Sequence, residues 1–191
     1  MTGSNKPRKE HDPGSGAKFR LQEWIKGSAV FGGIGNCYRY RLSRVWDEAK
    51  PAILFVMMNP STADPDHDDR TVAKCGRLAR RWGYGCLLVG NTFAHRCTDQ
   101  GRLAETGDPV GPENDLHLLE MAEMSERIVI AYGKPKIKTL QARGREVVKL
   151  LRDHGYTLYA LRILADGTPG HPLYIREDTE LVEFHWPLLG V

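Results

Sequence analysis

The sequence predicts an α/β fold of three layers, in which a central, mostly parallel four-stranded sheet lies between helices. The first observation is that residues 53–58 and 86–89 are apolar throughout, as is typical of strands buried on both faces of a sheet. The second is that such runs alternate with segments of helical periodicity, a pattern that favours parallel strands joined by crossover helices. The third is the length of 191 residues, which suits one domain with a substantial core.

The N-terminal part of the chain differs in composition from the rest. Residues 1–18 are rich in Gly, Pro, Ser, Lys and Arg and are predicted to form a disordered basic tail. Residues 19–191 are predicted to form a single domain. Within it, tyrosine and leucine alternate with arginine over residues 29–45, which predicts a bent strand or a hairpin at an edge of the sheet.

The remaining elements are assigned from apolar character and from helix signals. Asp68 or Asp69 is a candidate N-cap for a helix over residues 70–82, where apolar residues recur at helical spacing. Pro112 suits the first turn of a second helix, and a third helix is expected to end near His154. The four parallel strands are predicted at residues 53–58, 86–89, 127–132 and 157–161.

Composition argues against several classes of protein. Charged residues make up 27% of the chain, and the net charge of +3 permits nucleic-acid binding without requiring it. No apolar run could span a bilayer and the N-terminus is polar, so a cytoplasmic protein with no membrane partner is expected. The four cysteines include no C-x-x-C pair, which favours reduced thiols over structural zinc; a four-cysteine iron–sulfur cluster is an open alternative.

Polar motifs follow three of the apolar runs. Residues 59–64 read Asn-Pro-Ser-Thr-Ala-Asp, residues 91–96 read Asn-Thr-Phe-Ala-His-Arg, and residues 171–174 read His-Pro-Leu-Tyr. Because the carboxyl ends of parallel strands share one edge of a sheet, where ligands bind, these distant segments are expected to meet in one cleft. The sequence therefore predicts an enzyme site at this edge.

These motifs carry two family resemblances. The chain is identified as a member of the DUF1643 family, whose characteristic segments it has at residues 58–64, 91–99, 111–115 and 171–174. The order of motifs over residues 52–174 also resembles the uracil-DNA glycosylase superfamily. The final motif of that superfamily begins His-Pro-Ser, whereas this chain has Leu173 in place of the serine. The second resemblance implies a uracil-DNA glycosylase-like fold and a monofunctional DNA glycosylase that leaves an abasic site.

That resemblance implies catalytic roles for three residues. Asn59 would hold the attacking water and, because a carboxamide is a poor base, a carboxylate would assist, with Asp64 the first candidate and Asp66 the second. His171 would donate a hydrogen bond to the departing base or to a phosphate. The alternative is that Asn59 and Asp64 only cap their loop, and that His171 is structural.

The resemblance also implies how a flipped nucleotide is held. Asn91 would present its carboxamide to the base and Phe93 would stack on it; the alternatives are a turn-forming Asn and a core Phe. Arg96 would bind a phosphate or a base substituent. The other substrate-binding residues would be Pro60, Ser61 and Thr62, and the DNA-binding residues Lys134, Lys136, Leu173 and Tyr174.

The sequence leaves the substrate open. The altered final motif and the long loop over residues 91–111 indicate a pocket for a base bulkier than uracil, such as hydroxymethylated or glucosylated cytosine in phage DNA, in anti-phage defence. DNA is the expected partner, the protein is expected to be a monomer, and this hydrolysis requires no metal or cofactor. The alternatives are a nucleotide- or nucleoside-processing hydrolase and a catalytically inactive DNA-binding module. No Gly-x-x-x-x-Gly-Lys motif is present, which argues against a P-loop enzyme.

Overall fold

The computed structural model describes residues 17–185, so residues 1–16 of the expected tail lie outside the described residues. The strands of the described part are β1 (Phe19–Arg20), β2 (Lys26–Gly32), β3 (Tyr38–Val45), β4 (Ala52–Met57), β5 (His67–Asp68), β6 (Cys86–Asn91), β7 (Arg127–Ile130), β8 (Leu158–Ala160) and β9 (Val182–Glu183). Its α-helices are α1 (Arg70–Arg81), α2 (Gln100–Glu105), α3 (Asn114–Glu123) and α4 (Gln141–Asp153). A short 3₁₀ helix spans Pro172–Tyr174.

The main sheet is mixed and has the strand order β2-β3-β6-β4-β7-β8-β9. Strands β6, β4, β7 and β8 run parallel to one another, in keeping with their apolar sequences. The pairings β2–β3, β3–β6 and β8–β9 are antiparallel. The prediction of a four-stranded sheet is therefore wrong in strand number. Residues of β2 alternate between exposed and half-buried, so this strand lacks the apolar run used to recognise the others.

Helices cover both faces of the sheet because successive strand residues point to opposite sides. On one face, Phe55 and Leu87 pack in a core cluster with α1 residues such as Leu78. On the other face, Leu54 packs in a second cluster with residues of α3 and α4 such as Leu151. The described chain is thus a mixed α/β fold with helices on each side of its main sheet. No helix within residues 17–185 is long and apolar enough to cross a membrane.

The N-terminus of α1 is fixed by a side-chain cap. Asp69 Oδ1 accepts the backbone N–H groups of Thr71 and Val72, each at 2.9 Å, so the second of the two candidate caps is the one used. Asp68 instead accepts a hydrogen bond from Arg44 Nε at 2.8 Å. The cap directs the start of α1 toward the carboxyl end of β4.

The segment that follows β6 is more ordered than the predicted long loop. It contains α2, whose cap Asp99 accepts the N–H of Arg102 at 2.9 Å through Oδ1. The next helix, α3, begins at Asn114, two residues after Pro112. These short elements bring residues 91–111 back toward the carboxyl ends of the strands.

Candidate functional site

Two adjacent cavities lie at the carboxyl ends of the parallel strands. The smaller, here called the polar pocket, has a volume of about 170 Å³ and is lined by residues that include Arg39, Asn59, Ser61, Asp69, Thr98 and His171. The larger, here called the apolar chamber, has a volume of about 380 Å³ and is lined by residues that include Tyr132, Lys134, Lys136, Arg162, Leu164 and Tyr174. Met58 and His171 line both cavities, so the two spaces adjoin.

Other cavities of comparable size occur in the described part of the chain. One of about 470 Å³ is lined by Pro51 and Arg127, at the amino ends of β4 and β7. Another of about 520 Å³ borders the apolar chamber, with which it shares Tyr174, and extends toward Ile163 and Val182. Ligands of open α/β sheets bind outside the carboxyl ends of the strands. The polar pocket and the apolar chamber are therefore the candidate site.

Asn59 joins the loop after β4 to the segment after β6. Its Nδ2 donates to the carbonyl oxygen of Cys97, and the N–H of Cys97 donates back to the carbonyl of Pro60 at 3.0 Å. No hydrogen bond from within the described residues engages Asn59 Oδ1. The carboxamide is thus held in place through its nitrogen, and its oxygen is available to orient a small molecule in the polar pocket.

His171 separates the polar pocket from the apolar chamber. Its Nδ1 accepts the N–H of Leu173 at 3.3 Å, and burial lowers the pKa of the imidazole while the charge of Asp69 opposes that shift. The ring is therefore assigned as neutral, with its hydrogen on Nε2. His171 supplies one neutral hydrogen-bond donor at the junction of the two cavities.

Asp64 lies outside both cavities. Its Oδ1 accepts the N–H groups of Asp66 at 3.0 Å and His67 at 2.9 Å, and Oδ2 pairs with Lys18 at 2.7 Å. Burial alone would raise the pKa of this carboxyl, but the hydrogen bonds from Lys18 and His67 outweigh it and lower the pKa to about 2. Asp66, the second carboxylate considered for water activation, does not line either cavity. The contacts of Asp64 are those of a residue that stabilises its loop.

The two residues expected to contact the base are buried behind the site. Asn91 is 1% exposed, and its Oδ1 accepts a hydrogen bond of 3.3 Å from an Arg39 Nη. Phe93 belongs to a small core cluster with Leu103 and Leu140. Neither side chain lines the polar pocket or the apolar chamber, so the expected stacking and base reading are not apparent in this arrangement.

Arg39 lines the polar pocket, and sequence reasoning did not identify it. The side chain is 1% exposed and donates to the carbonyl of Ala63 at 2.9 Å as well as to Asn91. Burial lowers its pKa to about 10, although the charge of Asp69 opposes the shift. An arginine in an alternating pattern normally indicates the solvent face of a strand. Here the guanidinium is enclosed beneath the loop after β4, where the carbonyl of Ala63 accepts its hydrogen bond.

The remaining expected substrate contacts fall into different settings. Ser61 lines the polar pocket, whereas the backbone of Pro60 is used in the bond with Cys97. Thr62 is 2% exposed. Arg96 donates to the carbonyl of Asn36 at 3.1 Å and lies over the ring of Phe31, so it braces the β2–β3 connection. Of these four residues, only Ser61 lines the polar pocket or the apolar chamber.

The residues expected to contact DNA lie around the apolar chamber. Lys134 and Lys136 line it, and Lys134 Nζ pairs with Asp166 at 2.6 Å. Tyr174 also lines the chamber and is 84% exposed, while Leu173 beside it is 45% exposed. The chamber therefore has an apolar interior with cationic and aromatic side chains near its opening.

Comparison with family models gives one match. The model described as a protein of unknown function (DUF1643) matches residues 39–173, which is more than half of the 191 residues. Neither the curated proteins nor the solved structures give a significant match. The chain belongs to the DUF1643 family, and the matched range contains the polar pocket and most of the apolar chamber.

Proposed function

We propose that this member of the DUF1643 family is a monofunctional DNA glycosylase, with a three-layer fold like that of the uracil-DNA glycosylase superfamily. It flips a modified base out of DNA and hydrolyses its glycosidic bond, leaving an abasic site. The observation that carries the proposal is the pair of adjoining cavities at the carboxyl ends of β4, β7 and β8, which share His171. One cavity suits the reacting sugar and water, and the other suits the base.

The sizes of the cavities support this division. Sites for small organic ligands usually measure about 300–1,000 Å³ and are mostly apolar, with a few placed polar groups. The apolar chamber, at about 380 Å³, falls in this range and has Met58, Leu164 and Ile175 among its lining. The polar pocket, at about 170 Å³, is too small for a whole nucleoside but suits a water molecule beside one edge of a sugar.

The polar groups suit glycosidic hydrolysis. The reaction builds positive charge on the sugar and negative charge on the departing base, so it needs an oriented water and donors for the base. Asn59 Oδ1 orients the water in the polar pocket. Neutral His171 donates its Nε2 hydrogen to the base, because its Nδ1 is occupied by the N–H of Leu173. Such a donor is effective over a wide pH range because it does not have to be charged.

The surface around the apolar chamber suits DNA. Lys134, Lys136 and Arg162 supply positive charge for phosphates, a contact that is independent of sequence. Leu173 and Tyr174 are exposed beside His171 and act as an apolar wedge that takes the place of the flipped base. A single protein molecule carries all these groups, so we propose that the enzyme acts as a monomer. We also propose that it acts in the cytoplasm.

The substrate we propose is a base larger than uracil. The chamber has room for a ring with a substituent, and the exposed mouth beside Tyr174 leaves space for a polar extension. Hydroxymethylated or glucosylated cytosine in phage DNA fits this description and suits a role in anti-phage defence. No metal or cofactor takes part in the reaction we propose.

A free nucleotide is the second candidate substrate, because Lys134 is already paired with Asp166 and the small net charge of +3 does not demand a polyanion. The test is incubation of the protein with DNAs that carry normal, uracil, hydroxymethylated or glucosylated bases, and separately with the matching nucleotides. Released bases are identified by mass spectrometry, and abasic sites by alkaline strand cleavage.

Base release from DNA that Asn59→Ala abolishes is the expected result. Asn36→Gly is the matched control, because it removes a carboxamide at a left-handed backbone position, with φ of 57°, which glycine adopts readily. Release from nucleotides alone would favour the second candidate. DNA binding without release from any substrate would favour a binding module and refute the glycosylase.

A further inference from the structure

We infer that Asp69 is the catalytic carboxylate that accepts a proton from the attacking water. The inference rests on the proposed glycosidic hydrolysis and adds a residue to its mechanism. A carboxamide such as that of Asn59 can orient water but cannot take its proton, so a base must lie in the same space. Among the residues that line the polar pocket, Asp69 is the acidic one.

The helix cap holds Asp69 in a fixed orientation. Its Oδ1 accepts the N–H groups of Thr71 and Val72, both at 2.9 Å, and it stands at the start of the 12-residue helix α1. This places the side chain at the positive end of the helix dipole. No hydrogen bond or ion pair within residues 17–185 engages Oδ2. One oxygen therefore anchors the side chain, and the other is available to the pocket.

Arg39 and Asp69 line the same pocket but do not form an ion pair with each other. The guanidinium of Arg39 is instead held by the carbonyl of Ala63 and by Asn91, so it supplies positive charge without occupying Asp69. His171 also faces this space, together with Cys97, and its ring is neutral by the hydrogen-bond argument given above. The polar pocket thus combines the fixed carboxylate of Asp69, the fixed guanidinium of Arg39 and the oriented carboxamide of Asn59.

The neighbouring carboxylates of Asp64 and Asp68 have hydrogen-bond and ion-pair partners outside the polar pocket. Asp64 has Lys18 and two backbone N–H groups as partners and does not line the pocket. Asp68 is paired with Arg44 at 2.8 Å. The position of Asp69 is therefore the one that can act on a water held by Asn59.

In the step we assign to Asp69, the oxygen of water forms a bond with the anomeric carbon C1′. The bond from C1′ to the base nitrogen breaks, and its electron pair leaves with the base, which accepts a hydrogen bond from His171 Nε2. Asp69 Oδ2 takes one proton of the water, and that proton passes to the departed base through solvent. The products are the free base and a C1′ hydroxyl, and no oxidant or reductant is consumed.

The test is Asp69→Asn, because Asn caps a helix as well as Asp while it cannot accept the proton. We expect kcat for base release to fall by about 10² to 10⁴-fold, with KM and the thermal midpoint unchanged. Asp69→Ser also retains the cap and is expected to lose the same activity. Asp99→Asn is the matched control, since it makes the same change at the cap of α2.

The outcomes separate the inference from the function. Base release by the natural protein with a kcat for Asp69→Asn within threefold of it would overturn the role of Asp69 and leave the glycosylase standing. A parallel loss of activity and thermal stability in both Asp69 variants would assign Asp69 to the fold alone and overturn the inference. Absence of release from every DNA by the natural protein would overturn both proposals.

Discussion

Tyr132 offers a test in which removing one hydroxyl should stabilise the protein. The residue follows β7 and lines the apolar chamber, yet it is only 4% exposed. Its hydroxyl is buried and has no hydrogen-bond partner among the described residues. The ring packs against α4 at Gly144, where a side chain would collide with it. Burial also raises the pKa of this phenol, because a charged oxygen would lose its solvation there.

The expected effect of Tyr132→Phe follows from desolvation. A buried polar group without a partner costs about 1–3 kcal/mol. The few dispersion contacts of the lost oxygen are worth about 0.1–0.2 kcal/mol each and oppose this gain. We therefore expect the free energy of unfolding to rise by about 1 kcal/mol. For a domain of this size the thermal midpoint should rise by about 2–4 °C.

The assay is urea unfolding together with a thermal scan, and Tyr84→Phe is the matched control. The hydroxyl of Tyr84 donates to Glu126 at 3.4 Å, so the same chemical change should leave an acceptor without its partner and lower the stability by about 0.5 kcal/mol or more. The two variants should therefore shift stability in opposite directions. A loss of 1 kcal/mol or more in Tyr132→Phe would refute the reasoning, because it would mean that the hydroxyl is satisfied in solution.

Three further predictions concern the loop, the pocket and the surface. The pKa of Asp64 is about 2 in the fold against 3.8 when unperturbed. The ionised carboxylate should therefore add about 2 kcal/mol to the free energy of unfolding above pH 5, and this contribution should be lost as the pH falls toward 2. Urea unfolding should show that Asp64→Asn is less stable than the natural protein at pH 7 and equally stable at pH 2. Arg39→Met should lower the free energy of unfolding by about 3 kcal/mol, because it leaves the carbonyl of Ala63 and Asn91 Oδ1 without their hydrogen-bond donor. A loss below 1 kcal/mol in the same assay would contradict this. Tyr174→Ala should change the free energy of unfolding by less than about 0.5 kcal/mol, because the side chain is 84% exposed. The same variant should bind duplex DNA more weakly in an anisotropy titration. Unchanged binding would contradict the proposal that Tyr174 acts as a wedge.

Sequence alone predicted the parts of the fold that depend on apolar pattern. The inner strands are continuous apolar runs and the start of α1 carries a capping carboxylate, so both are visible in the residues themselves. The edge strands carry no apolar run. Strand β2 was predicted only as part of the edge hairpin over residues 29–45, and β9 has two residues, both exposed. The short helix α2 was missed for a related reason, since its six residues contain only one buried apolar side chain, Leu103.

The candidate site was harder to predict because several carboxylates occur close together. Asp64, Asp66, Asp68 and Asp69 lie within six positions, and only the path of the loop decides which of them faces the polar pocket. The Asp64 loop turns outward because Lys18 and two backbone N–H groups hold its carboxylate. Arg39 was missed because its burial depends on Ala63 and Asn91, which are distant in sequence, so residue spacing does not encode it.

Three buried polar atoms without a partner among the described residues belong to residues at or after the carboxyl ends of parallel strands. Thr62 Oγ1, Asn91 Nδ2 and the hydroxyl of Tyr132 are all buried and have no partner among the described residues. Thr62 follows β4, Asn91 ends β6 and Tyr132 follows β7, so the three atoms stand at the same edge of three adjacent parallel strands. Each costs about 1–3 kcal/mol, and folded proteins contain few such groups. Of these three residues, Tyr132 is the one that lines the apolar chamber, so its hydroxyl is the one that a ligand in that chamber could engage.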